Sequence, residues 1–231
     1  MKNKFMRIAA VMLMLCLVTT CAISGTFAKY TTNGKAEDSA RVAKWGVEVV
    51  APADGEDATF ATSYTAHDAN FEGNSVLSGD DVIAPGTNGT LATPTITGTP
   101  EVAVRVTFSA VLTLTNWSVP ATEGEGNVEY CPIEITVGTK TYGILGDASE
   151  TYVKCTNIAD LKSKVETAIA GYSADYAAGT NLAGDAVANA SPVVKWSWAF
   201  NSDNDANDTA LGNAEEAEIS FKITVTVTQI D

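Results

Sequence analysis

Basic residues are scarce in this 231-residue chain. Lys and Arg number 14 against 28 Asp and Glu, which leaves a net charge of −14. A protein that binds nucleic acid needs a cationic face for the phosphates, so this balance argues against such a partner. Histidine is reduced to one residue, His67, and cysteine to four. A zincin needs two histidines one helical turn apart with a glutamate base, and no H-E-x-x-H is present. Two cysteines and one histidine beyond the first 28 residues fall short of a four-ligand zinc site. No G-x-S-x-G elbow and no glycine-rich phosphate loop occurs. The sequence reading is therefore non-enzymatic, with no catalytic residues, and His67 beside Asp68 reads as a solvated loop residue. Hydrophobic runs of spanning length are missing too. Only Ile8 to Val18 is continuously apolar, well short of the ~20 residues a membrane helix requires.

That short run sits in a recognisable setting. Lys2, Lys4 and Arg7 precede it, and small residues follow in TTCAISGTFA. This is the layout of a secretory signal peptide, with Thr26 and Ala28 at the −3 and −1 positions. Cleavage is expected between Ala28 and Lys29. Val18, Thr19 and Thr20 before Cys21 are a poor match to a lipid-attachment site. The signal takes three of the 14 basic residues and no acid, so 11 then face 28 acids and the net charge becomes −17. Cys16 and Cys21 leave with it. Cys131 and Cys155 remain, and both a disulfide and two reduced buried thiols stay open for them.

What the chain does contain is β-pattern. Hydrophobic residues reach 45 % and charged residues only 18 %, too apolar for a disordered acidic tail. In EVAVRVTFSAVLTLTN, Val102, Val104, Val106, Phe108, Ala110, Leu112 and Leu114 share one face. In EISFKITVTVTQID, Ile219, Phe221, Ile223, Val225 and Val227 do the same. Such alternation predicts strands with one buried and one solvated face. Further strands are expected over Val42–Val50, Thr59–Thr65, Thr90–Ile96, Thr151–Cys155 and Val193–Phe200. A hairpin is expected from Tyr130–Val137 to Lys140–Leu145 across Gly138-Thr139. One helix is expected, with Asn157 as N-cap, Leu161, Val165, Ala168, Ile169 and Tyr172 at helical spacing, and Gly171 at its end. The stretch after it, YSADYAAGTNLAGDAVANAS, reads as a long loop. Many strands and one inserted helix point to an all-β fold, an antiparallel β-sandwich of jelly-roll type. The domain is residues 29–231, with 29–44 a flexible or donor-strand segment.

One loop could bind a cation. In NSDNDANDTALG, Asp203, Asp205 and Asp208 are spaced so that several oxygens could meet a Ca²⁺ ion. The EF-hand glycine and closing glutamate are missing, and a solvated turn is the commoner fate of such a stretch. Trp45, Trp117, Trp196 and Trp198 read as core residues rather than as a sugar platform.

Three segments in order carry a resemblance: GTFAKYTTNGKAEDSARVAKWGVEV, APGTNGTLATPTITGTPEVAVRVTFSAVL and KWSWAFNSDNDANDTALGNAEEAEISFKITVTVTQID. Their arrangement resembles the TasA/camelysin family of Gram-positive secreted proteins, and the match is strongest at the chain's ends. The resemblance implies a signal cut by a SipW-type signal peptidase. It implies a jelly-roll domain at the cell surface or in the biofilm matrix, and assembly with copies of itself into fibres. In that picture the segment from Lys29 to Val50 is a donor strand for the next subunit. No cofactor and no membrane contact of the mature form are implied. A monomeric surface-binding module is the competing expectation.

Overall fold

The computed structural model describes residues 10–14, 41–50, 63–64, 82–91, 93–121, 126–183, 190–199, 202–214 and 216–230. It divides into two compact units, Met1–Val42 and Ala43–Asp231. In the first, residues 10–14 are helical and exposed. No helix among the described residues is long and apolar enough to cross a membrane. The Ala28–Lys29 junction, the candidate donor residues 29–40 and His67 lie outside the described residues.

The second unit is all-β with helical insertions. Its strands are β1 (Val47–Val50), β2 (Ser63–Tyr64), β3 (Thr87–Leu91), β4 (Thr95–Gly98), β5 (Val104–Thr115), β6 (Ser118–Pro120), β7 (Asn127–Glu129), β8 (Ile133–Val137), β9 (Lys140–Gly143), β10 (Tyr152–Lys154), β11 (Ser173–Tyr176), β12 (Val194–Trp198) and β13 (Glu218–Gln229). Its helices are α1 (Ile158–Ala170) and α2 (Asp205–Ala214). A six-stranded sheet runs in the order β10-β9-β8-β12-β3-β2, and a three-stranded sheet in the order β11-β5-β13. Two pairs, β1-β4 and β6-β7, stand apart. All pairings are antiparallel except β10 with β9.

Alternation decides which face each strand buries. In β12, Val194, Trp196 and Trp198 are buried, and in β8 Ile133, Ile135 and Val137 join them. Val104, Val106, Phe108 and Leu112 of β5 supply the other sheet's share of the core. Helix α1 packs against β5, β8 and β9, linking the two sheets through Leu161, Val165 and Ile169, each fully buried. Its start is set locally. Asn157 is extended and its Oδ1 accepts from the Asp160 amide at 2.8 Å, while the Glu129 carboxylate accepts from the Ile158 amide. The Asp160 carboxylate reaches back to the Thr156 amide at 2.9 Å, a capping box displaced by one residue.

Turns obey their residues. Ala84-Pro85-Gly86-Thr87 closes with the Thr87 amide donating to the Ala84 carbonyl at 3.0 Å, and Gly86 takes the positive φ of 89° that a type II turn requires. Gly98 sits at φ 111°, and a Cβ there would run into the Gly46 carbonyl where β1 meets β4.

Four expectations are corrected. The first strand begins at Val47 rather than Val42, because Gly46 at φ 56° ends the extended run. Thr90–Ile96 is two strands, β3 and β4, in different sheets. The loop after α1 contains β11, paired with residues Val104–Thr107 of β5. The acidic loop is helical, a 3-10 turn at Ser202–Asn204 running into α2, so the fold holds more than one helix.

Candidate assembly edge

The three-stranded sheet is finished differently on its two sides. β13 pairs with β5 over twelve consecutive residues, from Glu218 opposite Thr115 to Gln229 opposite Val104, without a bulge. Its far side carries no strand among the described residues. On the other side of β5, β11 covers Val104–Thr107. Beyond it, the Glu166 carboxylate of α1 accepts from the Leu112 amide at 2.9 Å, standing where the next strand's carbonyl would be.

Burial follows this asymmetry. Opposite one another lie Phe221 and Leu112, Val225 and Phe108, Val227 and Val106. The β5 member of each pair is buried, yet Ile219, Phe221, Ile223, Val225 and Val227 of β13 are all only half-buried. An edge strand has neighbours on one side only, and these five side chains show it. Natural edges are blunted by proline, bulges, several lysines or shortness. β13 holds Lys222 alone, no proline, and spans about 40 Å at ~3.4 Å per residue. The edges of the six-stranded sheet, β10 and β2, have three and two residues.

The entry to β13 is anchored. The Trp117 indole donates to the Glu218 carbonyl at 2.7 Å, and the Asn116 side chain donates to the Glu216 carbonyl at 3.1 Å. Asn116 takes φ 59°, a left-handed position that asparagine tolerates. Trp117 packs its ring against Trp198, with centroids 5.9 Å apart. Helix α2 closes this corner through Leu211, which is buried, and Asp208, which accepts from the Tyr130 hydroxyl. Burial pushes the Asp208 carboxyl up, against the hydrogen bond from Tyr130 that lowers it. Burial and Asp208 together push the Tyr130 phenol up.

The proposed calcium ligands thus part company. Asp208 turns inward to Tyr130, while Asp203 and Asp205 are exposed. Among the described residues no three His, Cys, Asp or Glu side chains form a group fit to hold a metal. Cys131 and Cys155 are buried free thiols. Burial pushes the Cys131 thiol up to about 12 and also raises that of Cys155, so both are poor nucleophiles. Trp117, Trp196 and Trp198 are core residues, whereas Trp45 is 43 % exposed. An open pocket of about 390 Å³ lies beside α1's start, lined by Asn116, Trp117, Glu129 and Lys162 among others.

The leading strand is also poorly covered. Beside Trp45, Val49 and Val50 of β1 are more than two-fifths exposed. Lys44 is fastened by its amide to the Glu101 carboxylate at 2.8 Å and by its carbonyl to the Glu101 amide at 3.0 Å.

Glu166 was invisible to sequence reading. A lone glutamate on a helix carries no local mark that it faces a strand 54 residues away. The bare side of β13 was equally hidden, since its alternation would look the same in a central strand. No family model matches this chain, and neither do any curated protein or solved structure.

Proposed function

We propose that this chain is a secreted structural protein of the cell surface or biofilm matrix, which joins copies of itself into fibres by β-strand exchange. Its β-unit is read as a jelly-roll sandwich. The segment from Lys29 to Val50, freed by a SipW-type signal peptidase after Ala28, is the donor strand for the next copy, with residues 29–44 its leading part. No catalytic step or cofactor belongs to this reading. The single observation that carries it is the exposed apolar set Trp45, Val49 and Val50 at the head of a unit that buries its other tryptophans. A segment that alternates but covers little of its own apolar surface gains by pairing with a second chain. Head-to-tail contacts of this kind need not close, and so build filaments.

The test is imaging of residues 29–231 at rising concentration, with and without Ca²⁺, beside a chain beginning at Ala43. Fibres from the first and none from the second are expected. Equal polymerisation of both would remove the donor segment, and persistent monomers in all conditions would remove the fibre. Assembly should quicken as salt screens the −17 charge, over ~8 Å at physiological ionic strength.

The pocket beside α1 supports a second reading, a monomeric module binding a small polar ligand on the cell surface. Retention on immobilised glycans by a chain that never polymerises would favour it.

A further inference from the structure

The geometry points to a second self-contact, separate from the leading segment: the edge of β13, which no strand covers among the described residues, pairs with β13 of another copy, antiparallel and about a two-fold axis. The two three-stranded sheets then become one six-stranded sheet running across both chains.

The occupant follows from the strand's own sequence. In an antiparallel pair, opposing residues point to the same face. Aligning all twelve residues of two β13 strands would set Glu218 against Gln229 and place each apolar residue opposite a polar one. Shifting by one restores the match. Eleven residues, Glu218 to Thr228, then pair about Ile223. Ile219 meets Val227, Phe221 meets Val225, and Ile223 meets its own copy. On the solvent face Glu218 meets Thr228, Ser220 meets Thr226, and Lys222 meets Thr224. One other face-matched register, about Thr224, also pairs eleven residues, but it sets Ile219 against Gln229; the register about Ile223 is the one that gives all five apolar residues an apolar partner. The half-buried apolar row gains further neighbours, and the outward N–H and C=O groups of the edge gain a strand to pair with, where none stands among the described residues.

Charge favours a second copy here over elsewhere on the molecule. The chain as a whole carries −14, which opposes contact between copies. β13 holds one acid and one base, Glu218 and Lys222, so its edge is a neutral strip. In the eleven-residue register neither charge faces its like.

The register supplies its own test. Thr224 is exposed, so a substitution there leaves the core alone. Thr224→Lys sets the introduced ammonium against Lys222 twice across the two-fold, and like charges directly opposite repel. Sedimentation velocity on the chain from Lys29 and on the chain from Ala43 should show dimers in both. Thr224→Lys should weaken the dimer about tenfold, from two repulsive pairs. The double variant Lys222→Glu with Thr224→Lys should restore it to near the wild-type constant, an outcome that a folding defect cannot produce. Monomers of the Ala43 chain at every concentration would overturn the proposal. So would a dimer indifferent to Thr224→Lys. Loss of the dimer on removing residues 29–42, with Thr224→Lys neutral, would instead give the edge to the leading segment. Fibre formation is read separately by imaging, so failure of the dimer leaves the donor-strand reading intact.

Discussion

β5 and β13 are paired over the same twelve residues, yet their outer sides are treated in opposite ways. β5 has its far side closed by β11 over four residues and by the Glu166 carboxylate at Leu112. β13 has nothing comparable among the described residues. The contrast teaches that this fold can spend a helix and a part-buried polar contact to seal an edge, and among the described residues it does so on one side of this sheet. A sealed edge prevents wrong pairing. An edge of twelve residues with no strand beside it among the described residues, and with its apolar row half covered, is the surface on which we propose that another strand pairs.

The largest expected effect comes from unsealing the closed side. Leu161→Ala removes a fully buried side chain that holds α1 against the sheets. Such truncations cost about 2–5 kcal/mol, measurable by urea unfolding. The same variant should aggregate faster than the wild type, because the β5 side then resembles the β13 side. Stability unchanged within error would show that α1 is not what seals the edge.

Glu166→Ala is a narrower cut. It leaves the helix in place but orphans the Leu112 amide, at a cost of about 1–3 kcal/mol. Amide exchange at Leu112 should accelerate, while exchange in α1 stays slow. Glu166→Gln keeps an acceptor oxygen and should recover most of the protection. Equal exchange in all three proteins would mean that the carboxylate does not substitute for a strand.

A smaller, pH-dependent effect is expected at the entry to β13. Burial raises the folded-state affinity of Asp208 for a proton. Its contribution to stability is therefore fully present below the unfolded pKa and is lost as pH rises through the folded pKa. Asp160 and Asp175 act in the opposite sense, since hydrogen bonds from Lys164 and Arg105 lower them, and their contribution is lost as pH falls. Comparing wild type with Asp208→Asn cancels those two. The wild type should gain on the variant as pH falls from neutral into the acidic range. A difference that does not change with pH would show that Asp208 is not titrating in a buried setting.

The smallest effect belongs to Arg105→Ala, which breaks the exposed ion pair with Asp175 joining β5 to β11 at 2.6 Å. Exposed pairs contribute little, and salt screens them. Global stability should barely move, while exchange in β11 should rise slightly at low salt and not at high salt.

Much of this sheet could be read in advance. The faces of β5 and β13 follow from strict alternation, and the residues expected inward are those turned to the core. The hairpin at Gly138 and the cap at Asn157 are local chemistry, and both stand where their residues put them. β11 was missed because Ser-Ala-Asp-Tyr has too little apolar pattern to declare itself. It is a strand because β5 lies beside it, and because Asp175 meets Arg105 from 70 residues away. α2 was missed because Asn and Asp favour turns in isolation. Docking of Leu211 and Asp208 against the Trp117–Trp198 corner outweighs that preference.

By itself, then, the sequence determined the β character, the inward and outward faces of the long strands, the helix start and the net acidity. Each of these rests on neighbours within a few residues or on simple summation. Only the tertiary structure decided which side of which strand has a neighbour among the described residues, that Glu166 seals one side of β5, and that Asp208 turns inward. Those outcomes depend on groups 54 to 78 residues apart being brought together, and a period of two carries no information about what stands beside a strand.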